Sequence, residues 1–419
     1  MSEMTDADAA DRDLTRQYEA YPYPRRDPRD EAKRLIVGSP GHLREIDYWV
    51  FGAHRPASAP LRALVAGGGT GDATIMLAQQ MAHAGRAGQV TWLDRSAAAE
   101  TIARARAEAR GLDNLVWERR SILELAASGL GPFDYIDCCG VLHHLADPAE
   151  GLAQLLSVLA PCGGLGLMVY APHGRTGVYM LQDALRLLAP HDEAPPERLD
   201  VARRVMRHLP ESAWIRVNRS FEDHLTGGDA GLYDLLLNPR DRSFTVPEFA
   251  ALLDRAGLAV TCWMEPMRYD PATWLADPKL RARAGRLDPV ARGALAEALT
   301  ANMANHVVYC VRKSDLRPPA DPMRPDAVPL AREMPADELA RNIRPDGVLN
   351  MLFNGLRAPV ALPALAAPIL GLIDGRRTVA EIRTRLAERG ISAEAFARAW
   401  AATFAALERV NRVLLAPPP

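Results

Sequence analysis

The spacing of apolar positions changes along this chain, and each change marks an element. Residues 63–66 are a short apolar run that stops at Gly67-Gly68-Gly69-Thr70-Gly71, and residues 72–80 then take helical spacing. Similar apolar runs at 89–93, 115–118, 133–139 and 165–170 predict buried strands. Between them lie helix signals. Asp147, Pro148 and Glu150 supply an N-cap, a first-position proline and a third-position acid, and Leu152, Leu155, Leu156 and Leu159 give that helix one apolar face. Pro161 to Gly164 reads as the turn into the next strand. Thr245 and Glu248 form a capping box for a helix ending near Gly257; a strand follows at 258–264, and 306–312 alternates as an edge strand. Strand and helix alternating in this way predict an α/β fold built on a parallel sheet.

The remaining stretches divide the chain. Residues 1–13 are acidic and polar and predict a disordered tail. Residues 14–56 read as an N-terminal helical cap or lid, with a helix that stops at Tyr21 to Pro24, short helices at 31–35 and 42–51, and a crowd of aromatics including Tyr18, Tyr21 and Tyr23. Residues 57–312 carry the strand–helix alternation, interrupted by a mostly helical insertion at 171–240. A proline-rich linker is expected at 313–340. Helical spacing at 362–373, 378–388 and 393–407 then predicts a small, mainly α, winged-helix-like domain over 341–419.

Composition narrows the function classes. At 419 residues and 48% apolar content the chain has material for two or three cored domains. A net charge of −2 gives no field toward nucleic acid or membrane. No apolar run approaches the roughly 18 residues of a membrane span. Five cysteines without a framework predict a reduced, cytoplasmic protein. Cys138-Cys139 and His143-His144 invite a metal, but neighbours on a strand point to opposite faces and no second cluster has zinc spacing, so no metal is expected. The 341–419 region is mildly basic, which suits peptide docking or dimerisation better than nucleic-acid binding.

The glycine loop reads G-x-G-x-G at Gly67, Gly69 and Gly71, not the dinucleotide G-x-G-x-x-G, whose last position is Asp72. This spacing resembles motif I of the class I S-adenosylmethionine-dependent methyltransferases. The passage GVLHHLADPAEGLAQLLSVLAPCGGLGLMVY at 140–170 resembles their motif IV to VI region, and the resemblance spans about residues 14–312. The YPYP start and VLHHLADP are similar to a bacterial subgroup, and the small C-terminal domain resembles the layout of bacterial protein lysine methyltransferases. The resemblance implies a seven-stranded, mostly parallel Rossmann-like sheet with helices on both faces and an antiparallel seventh strand beside the fifth.

It also implies a site. Ala66 to Gly71, with Gly68 and Thr70 inside the loop, would hold the methionine end of S-adenosylmethionine. Asp94, at the tip of the second strand, can accept ribose hydroxyls, with Ser96 beside it or capping the next helix. Arg95 and Ile122 would flank adenine, Ser121 would contact its amino group, and Cys139, Gly140 and Val141 would line the methyl donor. His42 or Arg44 would meet the methionine carboxylate if residues 14–56 close as a lid. Tyr18, Tyr21, Tyr23, His143 and His144 are the acceptor-side candidates, either histidine serving as general base or simply packing beside the cofactor. One position departs from the family. Val65 stands where motif I normally carries an acid that helps orient the methionine amino group, so either donor binding is weakened or backbone carbonyls near Ala66 and Cys139 take over.

The expected activity is direct methyl transfer to a small-molecule, peptide or protein acceptor. Two rivals remain: a non-catalytic S-adenosylmethionine sensor acting through the C-terminal domain, and an NAD-dependent oxidoreductase, which the glycine spacing disfavours.

Overall fold

The computed structural model describes residues 6–218 and 222–419. Seven strands form the central sheet: β1 (Leu61–Ala66), β2 (Gly88–Asp94), β3 (Leu115–Arg119), β4 (Phe133–Cys139), β5 (Leu159–Tyr170), β6 (Leu258–Trp263) and β7 (Asn305–Arg312). Their spatial order is β3-β2-β1-β4-β5-β7-β6, and only β7 runs antiparallel to its neighbours. The expected α/β architecture, including the inserted antiparallel strand, is therefore present. Chain order reverses between β1 and β4, which opens a crevice at the carboxyl ends of those strands.

Alternation along β1 sets the two faces. Ala63 and Val65 pack under the helix Asp72–His83 and the turn Ile46–Val50, while Leu64 and Ala66 face Leu152 and Leu155 of the helix Pro148–Ser157. The turn expected at 161–164 lies inside β5 instead. Cys162 takes a positive φ there and the register with β4 slips, so the strand bulges rather than stops.

The first structural departure is at the N-terminus. Asp6–Ala20 is helical, so the expected tail is ordered from Asp6; residues 1–5 lie outside the described residues. Gln17 and Tyr18 anchor this helix to Asp234 of the insertion helix Gly228–Leu237, and Glu19 accepts from the amide of Ala97 at 2.7 Å.

The second departure is the linker. Within 313–340 the chain forms β8 (Pro329–Ala331) and enters the helix Ala336–Arg341. A hairpin of β9 (Val348–Phe353) and β10 (Leu356–Ala361) follows, turned by Asn354-Gly355, both at positive φ. The helix expected at 362–373 is only Ala366–Leu370. The helices Val379–Ala387 and Ala393–Glu408 and the strand β11 (Val413–Leu415) complete this part, with β11 pairing antiparallel to β8. One apolar core runs from Tyr48 and Trp49 through the sheet face into Trp400 and Phe404. Tyr48 donates to Glu408, and Trp49 donates to Asn411 at 3.2 Å. The C-terminal part is thus seated on the N-terminal cap, not suspended from a tether.

Candidate active site

The glycine loop is shaped by its neighbours. Gly67, Gly69 and Gly71 all have positive φ. A Cβ at Gly67 would lie 2.2 Å from Val141, and one at Gly68 would lie 2.2 Å from the Trp92 ring. The loop therefore presses its backbone against the β4 loop and the β2 strand, a tight glycine cradle with no room for a side chain at either position. Trp92 donates to the Gly69 carbonyl at 3.0 Å, and the amides of Gly67 and Gly68 both donate to the Leu93 carbonyl.

Asp94 closes the cradle. Its carboxylate accepts from the amides of Gly69 at 2.8 Å and Ser96 at 3.0 Å, and from that of Arg95. Burial pushes its pKa up, and the three amides oppose that shift. A carboxylate offers about four lone-pair sites, so capacity remains for a ribose hydroxyl.

Several expected contact residues are already engaged in the fold. The Ser96 hydroxyl caps the helix Ala97–Ala109, and Ser121 with Glu124 forms a capping box on a short 3₁₀ turn. Ile122 is buried in the core with Leu64 and Leu93. The Thr70 hydroxyl donates to the Pro24 carbonyl at 2.7 Å, which ties the loop to the N-terminal segment. Arg26 and buried Arg106 strengthen that tie through Asp72, at 2.6 and 2.7 Å. Arg95 remains half-buried beside Asp94. His42 caps the turn at Leu43, and Arg44 donates to the carbonyls of Ala331 and Arg332. Neither meets the glycine cradle, so the expected carboxylate contact from His42 or Arg44 is corrected.

Cys139, Gly140 and Val141 are half-buried at the carboxyl end of β4, with Val141 against Gly67. Val65 pairs in register with Asp137 on β4. Asp137 is fully enclosed, accepts from Tyr135 at 3.1 Å, and has its pKa pushed up to about 7 by burial. Asp137 is absent from the sequence-based candidates, although an acid between Ile136 and Cys138 in a strand is a legible signal.

The acceptor-side residues separate into two groups. Tyr18 donates to Asp234 at 3.0 Å, and Gln17 and Asn238 add bonds at 3.2 and 3.3 Å. Tyr170, at the end of β5, donates to the other oxygen of Asp234 at 3.4 Å. Arg175 lies over the Tyr170 ring at 3.7 Å and pairs with Asp241 at 2.9 Å. His144 Nδ1 is 2.6 Å from the Arg240 carbonyl, so Nδ1 is the donor of that bond. Tyr18, His144, Asp234, Tyr170 and Arg175 thus form one polar cluster. Asp234, Tyr170 and Arg175 were missed; an acid among the apolar residues Leu232 to Leu237 was the available clue.

His143 falls outside that chemistry. It is fully buried against Tyr170, neither ring nitrogen has a hydrogen-bond partner among the described residues, and desolvation holds its pKa well below the ordinary value. Of the two readings open for it, base or packed neighbour, its burial favours the packed one. Tyr21 stacks on Tyr233 at 5.2 Å in the insertion core, and the Tyr23 carbonyl lies against Gly69.

Comparison with known proteins bears on the fold that carries these residues. Residues 64–165 match a family model described as a methyltransferase domain. An uncharacterised Synechococcus protein is 30% identical over 261 residues, covering 61% of this chain and 60% of its own length. The tRNA 5-carboxymethoxyuridine methyltransferase of Escherichia coli is 36% identical over 152 residues, covering 35% of this chain and 55% of its own length. The chain therefore spans just over half the length of these curated relatives. Among solved structures, PKMT2 from Rickettsia typhi in complex with AdoHcy superposes with a TM-score of 0.61 at 14% identity, covering 90% of this chain and 75% of that one. That likeness concerns the fold, and it extends into the C-terminal part.

Proposed function

We propose that this chain, whose core is a class I S-adenosylmethionine-dependent methyltransferase domain, transfers a methyl group to an acceptor held beneath the N-terminal cap. The observation that carries the reading is the tight, positive-φ glycine loop at the end of β1, joined to Asp94 at the end of β2 through the Gly69 amide. Bound there, S-adenosylmethionine supplies an electrophilic methyl on a sulfonium, which passes in line to an acceptor lone pair while the S–C bonding pair stays with sulfur.

The chain's own residues then have three tasks. Gly67 to Gly71 and Asp94 hold the donor. The Tyr18–Asp234–Tyr170 cluster roofs the acceptor side and fixes two phenol groups. Asp234 accepts from Tyr18, Gln17, Asn238 and Tyr170, so it serves as their common anchor and not as a free base. His144, whose Nδ1 is held by the Arg240 carbonyl, offers Nε2 to an acceptor that must lose a proton. Alignment accounts for most of the rate, up to about 7–11 kcal/mol, and a base adds roughly 10²–10⁴-fold.

The acceptor class is open to direct test. The similarity to a named tRNA methyltransferase puts tRNA beside peptides and metabolites in a screen with labelled donor. The expected result is transfer to one class, with His144→Asn lowering kcat roughly 10²-fold or more while donor affinity is unchanged. Donor binding without transfer to any class would favour the sensor reading instead.

A further inference from the structure

Beyond β6 the chain places Glu265 in left-handed backbone, φ 59° and ψ 66°, and turns through Pro266–Tyr269. A cavity of about 180 Å³ opens there. Three parts of the molecule wall it: Ser39 from the N-terminal cap, Glu265, Arg268 and Asn305 from the catalytic domain, and Arg332 and Arg412 from the C-terminal part.

The charges in these walls do not balance. Arg332 is satisfied, with Nε 2.7 Å from fully buried Glu45 and Nη2 2.8 Å from the Gly38 carbonyl. Arg268 is 8% exposed, yet it meets Glu265 only at 3.4 Å, and its Nε and Nη2 have no hydrogen-bond partner among the described residues. Arg412 makes one long bond, 3.4 Å to the Asn411 carbonyl. Burial pulls the Arg412 pKa down, and Glu265 is the main charge opposing that shift. Glu265 faces both guanidinium groups, with Glu333 and Glu45 adding to it at Arg412, and the two unpartnered nitrogens of Arg268 remain. An unpaired buried charge and unmade buried hydrogen bonds are both costly. A single group removes both deficits, because an oxyanion matches the planar donor fork of arginine.

We propose that this cavity is an oxyanion-binding site, holding a phosphate or carboxylate group between Arg268 and Arg412. Its volume equals roughly six waters at about 30 Å³ each, enough for the anionic group and part of what carries it. The site lies level with the methyl-donor loop. Val307 on its wall pairs with Met168, and Met168 pairs with Cys139, two strand steps or about 10 Å away. The anion is either borne by the acceptor or free, clamping the C-terminal part to the catalytic domain.

Calorimetry of the full chain with inorganic phosphate, ionic strength being held by chloride, tests the site. Wild type is expected to bind phosphate saturably, and Arg268→Gln and Arg412→Gln each to bind about tenfold more weakly, as loss of a charge-assisted contact predicts. S-adenosylmethionine affinity, measured on the same samples, should stay at the wild-type level. That readout keeps a failed anion site distinct from a failed donor site. Arg412 is the less enclosed of the two, so its variant carries the test if Arg268→Gln misfolds. Phosphate that raises the acceptor KM assigns the anion to the acceptor, and an unchanged KM assigns it to a free effector; both outcomes support the site. No saturable binding by wild type, or equal affinity in all three proteins, overturns it.

Discussion

Single buried charges set much of the chemistry here. Asp137 is the sharpest case, a carboxyl group enclosed one strand away from Val65. Its folded pKa, about 7, lies above the ordinary 3.8. A raised acid pKa means the folded state holds the proton more tightly. The contribution to stability is complete below the ordinary value and is lost as pH rises through the folded one. Asp137→Asn should therefore gain on wild type as pH rises, reaching on the order of 2–4 kcal/mol near pH 8. Urea midpoints of both proteins across that range check this. A constant difference would show that Asp137 does not titrate in the fold.

Between residues and the whole, the element that matters most is the helix Asp6–Ala20. Its polar face ends on Asp234, so one carboxylate joins the cap to the insertion. Asp234→Asn weakens the acceptor for Tyr18 and Gln17. Hydrogen exchange at residues 12–20 should then quicken, while exchange in β1 and β4 stays slow. Unchanged protection of 12–20 would mean that apolar packing alone seats the helix. This element was also the least legible. Its first residues are acidic and polar, and nothing local shows that a partner waits some 200 positions later. The sheet strands, by contrast, each carry their own apolar run, and the helix Pro148–Ser157 carries its own cap. Asn354-Gly355 was legible as a hairpin turn and was overlooked among expected helices. The glycine loop could be read because glycine spacing is local. Asp234 and Asp137 could not be placed from spacing, since only tertiary packing gives a lone buried acid its neighbours.

At the scale of the molecule, the C-terminal part belongs to the core. Tyr48, Trp49, Trp400 and Phe404 share one apolar cluster, and β8 from the expected linker pairs with β11 at the far end. Truncation after residue 312 would uncover that cluster on the N-terminal cap. The shortened protein should be markedly less stable or insoluble when expressed beside the full chain. A truncated protein as soluble and heat-stable as the full chain would show that the C-terminal part is an independent attachment.

The central claim is that the glycine cradle and Asp94 form a donor site. Isothermal calorimetry with S-adenosylmethionine and S-adenosylhomocysteine, on wild type and Asp94→Ala, tests it most directly. Wild type should bind both ligands, and the variant should lose roughly 1–3 kcal/mol, the range for hydrogen bonds to a charged group. Folded wild-type protein that binds neither ligand, or a variant that binds as tightly as wild type, would contradict the account.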